Sequence, residues 1–224
     1  MIAACVGQGA ALRRPDVYTI LLVRPCETLE SVKDLAGATQ NNYGDVAVTD
    51  ANKKFLTSSI YFDGTGDYIK FNGSQFYFND SDFCVEMWIY ATTFNDWTNA
   101  CGQWYHSGSN NPIRIGTSSG KWRVVIFNTA STFKTVTGTS SVVSGTWYHI
   151  AAVRLSSTLY LYVNGIQENS TSEIGTLANN LSGVVIGAQG TYNPYPWNGQ
   201  IAWIRISKNH SRYTSNFTPP TRRL

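Results

Sequence analysis

From Trp97 to Gln167 the chain carries no aspartate and no glutamate. Charge is scarce throughout, at 14% of the 224 residues, where about 25% is usual for a soluble domain. The shortage bears first on catalysis. Hydrolysis of a glycosidic bond needs two carboxylates flanking it, and side chains that share a strand face lie two positions apart. Glu86 is the one carboxylate inside a clear strand pattern, and its neighbours on that face are Cys84 and Trp88. A hydrolytic acid pair is therefore not expected, and no catalytic residue is assigned.

Metal chemistry lacks its usual signals as well. Cys5, Cys26, Cys84 and Cys101 form no Cys-x-x-Cys pair and no zinc spacing. His106, His149 and His210 are not spaced as ligands, so neither a metal nor a cofactor is expected. A Cys84 to Cys101 disulfide is left open, since it requires their strands to be neighbours. No apolar run approaches the ~18 residues that span a bilayer. The opening Ile2-Ala3-Ala4-Cys5 has no charged and apolar regions before it, so neither membrane insertion nor a secretory leader is expected. Apart from adjacent pairs such as Arg13-Arg14 and Arg222-Arg223 the basic residues are scattered, which disfavours a nucleic-acid partner. The net charge of +3 conceals −5 over residues 1–96 and +8 over residues 97–224.

What the chain has in quantity is glycine, aromatics and period-two alternation, a composition for many short strands. Phe83, Val85, Met87 and Ile89 alternate with Cys84, Glu86, Trp88 and Tyr90. Trp147, His149, Ala151 and Val153 oppose Tyr148, Ile150, Ala152 and Arg154, and Leu159, Leu161 and Val163 oppose Tyr160 and Tyr162. The second run stops at Asn164-Gly165, the pair best suited to a type I′ turn. Further strands are expected over 17–23, near 46–48, over 113–115, 122–127 and 183–186, and at an edge within 128–144. Residues 59–63 and 67–71 read as a hairpin around Gly64-Thr65-Gly66. Asp63 and Asp67 beside that turn could help hold calcium, but two carboxylates fall well short of the roughly six to eight oxygens it takes, and turn chemistry is the preferred account of them. The tail after Lys208, with Pro219-Pro220, should run extended over the surface.

Two loops carry the aromatics that strands do not claim. Residues 92–112 hold Trp97, Trp104, Tyr105 and His106 among small polar residues, and residues 187–199 hold Tyr192, Tyr195 and Trp197. Flat rings beside amide and imidazole groups suit a sugar, whose C–H face stacks while its hydroxyls take hydrogen bonds. These seven residues form the candidate ligand-binding set. The competing reading is sheet packing, with a strand over 102–105.

Gly145-Thr146-Trp147-Tyr148-His149-Ile150-Ala151, followed by Leu159-Tyr160-Leu161-Tyr162-Val163-Asn164-Gly165, resembles the central signature of laminin-G-like domains in the concanavalin A-like superfamily. Ser59 to Ile69, Phe83 to Tyr90 and Trp197 to Ile206 are similar to that family's opening hairpin and core strands. Arg212 to Thr221 resembles the ending of such domains in bacteriophage structural proteins. Residues 1–16, small and poor in apolar area, read as a docking arm or as a terminal strand of the same domain, and the resemblance, which covers residues 18 to 221, implies an all-β, two-sheet antiparallel jelly-roll sandwich over residues 17–224. It further implies a non-enzymatic virion protein, a head decoration or tail appendage, bound to other virion proteins through the arm and adsorbing to cell-surface glycans. An adhesion module outside a virion is the alternative, and a glycoside hydrolase the remote one.

Overall fold

The computed structural model describes residues 16–25, 33–34, 38–55, 58–103, 111–172, 174–178, 183–189 and 195–221. The chain forms β1 (Thr19–Arg24), β2 (Lys33–Asp34), β3 (Thr39–Tyr43), β4 (Ala47–Thr49), β5 (Ser59–Asp63), β6 (Tyr68–Asn72), β7 (Phe83–Thr93) and β8 (Asn99–Gly102). It continues with β9 (Ile113–Ser118), β10 (Lys121–Phe127), β11 (Phe133–Ser141), β12 (Trp147–Leu155), β13 (Thr158–Val163), β14 (Ile166–Thr171), β15 (Val184–Ile186) and β16 (Asn198–Lys208). Two antiparallel sheets result. One runs β14-β13-β12-β7-β16-β1-β2 with β5 and β4 branching from β16, and the other runs β11-β10-β9-β8-β15-β6-β3. This is the expected all-β sandwich.

Alternation decides what lies between the sheets. Met87, Ile89, Ile150 and Ile204 from the nine-stranded sheet meet Phe71, Ile115, Val124 and Ile186 from the seven-stranded sheet in one core. The residues between them face outward, which sends Glu86 to the outer side of one sheet and Arg114 and Arg123 to the outer side of the other. Asn164 and Gly165 take φ of 50° and 80°, the left-handed pair that a type I′ hairpin between β13 and β14 needs.

Three local expectations change. Residues 59–63 and 67–71 do not pair with each other: β5 bonds to β16 and β4, β6 to β15 and β3, so the glycine turn carries the chain from one sheet to the other. The buried Asp67 stands in for the missing ladder, accepting the Asp45 amide (2.8 Å) and the Asp63 amide (2.9 Å) on its two oxygens. Within residues 27–54, β3 is an additional strand whose sequence, TQNNY, has no apolar alternation. It is an edge, paired on one side to β6, so its backbone and not a buried face holds it. Cys84 and Cys101 are free and buried in different sheets, Cys84 facing outward from β7, which rules out the bridge between them. Burial pushes the Cys101 thiol up to about 12.

Residues 209–221 run as a strap over the outer side of the nine-stranded sheet. Phe217 N–H donates to the Gly165 carbonyl (2.9 Å), Gln167 N–H to Asn216 Oδ1 (2.8 Å) and Trp88 Nε1–H to the Pro220 carbonyl (3.0 Å). Gly165 serves twice here, since a Cβ on it would lie 1.9 Å from the Phe217 oxygen. Tyr213 and Phe217 stack at 3.5 Å, and Phe217 packs on Tyr162 and His149. Residues 1–15 of the expected arm lie outside the described residues, and among the described residues no helix is long and apolar enough to cross a membrane.

Candidate functional site

Glu86 is 0% exposed. Its carboxylate accepts hydrogen bonds from Arg205 Nε (2.7 Å) and Tyr213 Oη (2.7 Å), with His149 Nε2 at 3.2 Å and Arg212 Nε at 3.7 Å. Burial opposes ionisation, but donation from His149, Arg205 and Tyr213 outweighs it and holds the carboxyl below its ordinary range. The same burial, with the Glu86 charge, pushes the Tyr213 phenol up. With its oxygens occupied and the strap across it, this carboxylate holds the sheet and the tail together.

The opposite surface is built differently. Ile113 and Ile115 point into the core, and so do Trp122 and Val124, leaving Arg114 of β9 and Arg123 of β10 outward. Their guanidinium carbons stand 5.0 and 4.1 Å from the centroid of the Trp97 ring. Trp97 sits at φ +72° and is 40% exposed. A left-handed conformation costs a bulky residue of the order of 1–3 kcal/mol and persists where the surroundings over-determine it. Here Asn99 Nδ2 donates to the Trp97 carbonyl, Asn95 N–H to Thr98 Oγ1 (2.9 Å) and Thr98 N–H to the Asn95 carbonyl (3.3 Å). Gly116 lets that loop lie directly on β9, because a Cβ there would be 2.0 Å from the Thr98 carbonyl oxygen.

The two aromatic loops meet. Asn99 N–H donates to the Tyr195 carbonyl (3.1 Å), and Tyr195 is 42% exposed. Between the segments lies an open cleft of about 160 Å³, bordered by Thr93, Asn95, Asp96, Tyr195 and Asn198. Trp97 and Tyr195 of the expected set thus stand at one end of the sandwich. Trp197 does not join them: it is 0% exposed, stacks on Trp122 at 5.8 Å and donates from Nε1 to the Tyr90 carbonyl (3.3 Å). A ring closed in on every side offers nothing to a ligand, so Trp197 belongs to the core. Trp104, Tyr105, His106 and Tyr192 lie outside the described residues. Arg114 and Arg123 are missing from the sequence expectation, though alternation with Ile113, Ile115, Trp122 and Val124 was the signal that could have set them on this surface.

Asp45, Asp63 and Asp67 bring ligand atoms within 4.8 Å of one another. Burial, reinforced by the neighbouring acids, raises the Asp67 carboxyl, and both its oxygens already accept backbone amides. The cluster does the work of a turn, short of the roughly six to eight oxygens of a calcium site.

Two stacked antiparallel sheets with aromatic loops gathered at one end define a lectin-type jelly roll. The profile of the laminin-G-type family within the concanavalin A-like lectin/glucanases superfamily matches residues 63–211, and the chain belongs to that family. No curated protein matches the sequence. Among solved structures, the binding domain of Paraclostridial Mosquitocidal Protein 1 is similar with a TM-score of 0.65 at 16% identity, over 90% of this chain and 50% of that one. Domain 4 of AbnA, an extracellular arabinanase from Geobacillus stearothermophilus solved with arabinotriose, is similar at 0.62 and 14%, over 85% and 92%. The receptor binding domain of a botulinum neurotoxin C/D mosaic follows at 0.61 and 14%, over 90% and 49%. The chain spans about half the length of the toxin domains it matches. At these identities the likeness is one of fold.

Proposed function

We propose that the chain is a non-enzymatic glycan-binding module whose site is the end of the sandwich that carries Trp97 and Tyr195. The observation that carries this reading is a half-exposed Tyr195 bordering an open cleft with amide, hydroxyl and carboxylate walls, its loop tied by the Asn99–Tyr195 hydrogen bond to the segment that presents the half-exposed Trp97. Sugar rings stack on such surfaces and their hydroxyls take the polar groups. Arabinotriose on the AbnA domain is a further support by likeness of fold. The absence of catalysis rests on Glu86, the acid inside a core strand, being enclosed by its own donors.

The test is a glycan array probed with the protein and its Trp97→Ala and Tyr195→Ala variants. A stacking contact is worth about 0.5–1.5 kcal/mol beyond burial, so each variant should bind two- to ten-fold more weakly, in round terms. Retention of no glycan by the parent protein would overturn the reading.

The particle context is part of the same proposal. The likeness of Arg212 to Thr221 to bacteriophage structural proteins supports a virion component, a head decoration or tail appendage, that meets other virion proteins through residues 1–14 and host glycans through the loops. Deleting residues 1–14 should release the protein from particles while leaving its thermal unfolding unchanged, and undiminished incorporation would refute the arm. An adhesion module outside a virion would share the glycan site and fail the particle test.

A further inference from the structure

The cleft between the segment after β7 and the segment before β16 is small and carries charge of one sign. Its volume of about 160 Å³ is well below the roughly 300–1,000 Å³ of a pocket that encloses a drug-sized molecule. It has room for one sugar ring and not for a run of them. Asp96 is the one residue on its border with a formal charge, and no lysine, arginine or histidine borders it. Arg114 and Arg123 stand over the Trp97 ring and are not part of that border.

Asp96 is held in place to accept. The turn around it is closed by its own bonds, from Asn95 N–H to Thr98 Oγ1 (2.9 Å) and from Thr98 N–H to the Asn95 carbonyl (3.3 Å). Ser119 N–H, in the turn between β9 and β10, donates to Asp96 Oδ1 (2.5 Å). Among the described residues no donor reaches Oδ2 and no cation pairs with this carboxylate. Thr93, Asn95 and Asp96 are exposed on one segment of the border. An ionised carboxylate only accepts, at about four lone-pair sites, and its bonds to O–H donors are roughly twice as strong as neutral ones. An exposed acid with no cation beside it takes hydroxyls and repels a second anion.

We propose that the cleft takes the terminal residue of an uncharged saccharide, whose hydroxyls donate to the Asp96 carboxylate and whose ring lies on Tyr195, and that Asp96 turns away chains ending in a carboxylate or sulfate. This rests on the glycan-binding reading and narrows it to neutral chain ends.

Calorimetric titrations test it with oligosaccharides ending in glucose, galactose or mannose, and with the same chains ending in the matching uronic acid, in a 6-sulfated sugar or in a fully methylated ring. At least one neutral chain should bind, with an affinity indifferent to salt. Its acidic and methylated counterparts should bind at least roughly ten-fold more weakly. Asp96→Asn keeps an acceptor for the Ser119 amide and removes the charge. It should weaken the neutral chain by roughly ten-fold and narrow the gap between neutral and acidic chains. Asn95→Ala, which alters a different exposed side chain of the border, should weaken neutral binding several-fold and keeps the test decisive if the first variant fails to fold. Equal or tighter binding of the acidic chains, undiminished binding of the methylated end, or discrimination that survives Asp96→Asn would sink the selection and leave glycan binding standing. No binding to any probe would remove both.

Discussion

The outer surfaces of the two sheets each raise arginines beside aromatic rings, and they treat them in opposite ways. On the nine-stranded sheet Arg205 and Arg212 share the Glu86 carboxylate, and Tyr213 and Phe217 close over it. On the seven-stranded sheet the guanidinium groups of Arg114 and Arg123 stand over the face of Trp97, with Gln189 and Thr135 beside them, and that ring remains 40% exposed. The same residue types therefore mean different things. Where the counter-charge is inside the protein, the cluster is structural and the chain spends its own tail covering it. On the other sheet no tail covers the ring, which stays half-exposed.

The two tryptophans that sequence reading grouped together give the sharpest contrast. Trp197→Ala removes a ring with no exposed surface, and buried aromatic truncations cost about 3–5 kcal/mol. Urea unfolding should register that loss in full. A cost near zero would mean that Trp197 is not in the core, and would restore it to the candidate site.

Glu86→Gln comes next. Removing one partner of a buried ion pair costs about 3–5 kcal/mol because the other charge is stranded, here Arg205, but the amide keeps part of the hydrogen bonding. Saccharide affinity should not change, since Glu86 lies under the strap and does not border the cleft. The pH dependence follows from the sign of the shift. The folded carboxyl lies below its ordinary range, so its contribution is complete above the unfolded value of about 4.3 and disappears as pH falls through the lower folded value. Hydrogen-exchange protection over residues 209–221, taken relative to the intrinsic rate at each pH, should fall below about pH 4, and that fall should be absent in Glu86→Gln. Acid-insensitive protection in the parent protein would break the link between the carboxylate and the strap.

How far these features were legible differs from one element to the next. β7, β12 and β13 were plain because one face is mostly apolar, whereas β16, whose alternation is shifted by a bulge between Ile201 and Trp203, was read from its resemblance to a family strand. β3 was invisible because an exposed edge strand buries no side chains and is held by main-chain pairing alone. Gly64-Thr65-Gly66 marked a turn correctly, but no local signal separates a hairpin from a crossing between sheets. That outcome depends on Asp67 reaching the Asp45 amide, 22 residues back in the chain. Tyr195 and Trp197 share a loop two residues apart, yet their fates diverge because Trp122 offers a stacking partner to one of them. The arginines were overlooked for a different reason: a search for aromatics in loops passes over charges in strands.

The smallest expected effect bears on why Trp97 is held where it is. At φ +72° an L residue pays about 1–2 kcal/mol for the left-handed region, whereas glycine is at ease there. Both Trp97→Ala and Trp97→Gly remove the ring and its attraction for Arg123, worth about 0.5–1 kcal/mol at an exposed site. Only the glycine variant also relieves the backbone. Chemical denaturation should therefore find Trp97→Gly more stable than Trp97→Ala by about 1 kcal/mol, and close to the parent protein, while both lose saccharide affinity alike. Equal stability of the two variants would show that the loop does not hold this conformation in solution. Higher stability with weaker binding would mean that the strain is kept to present the ring.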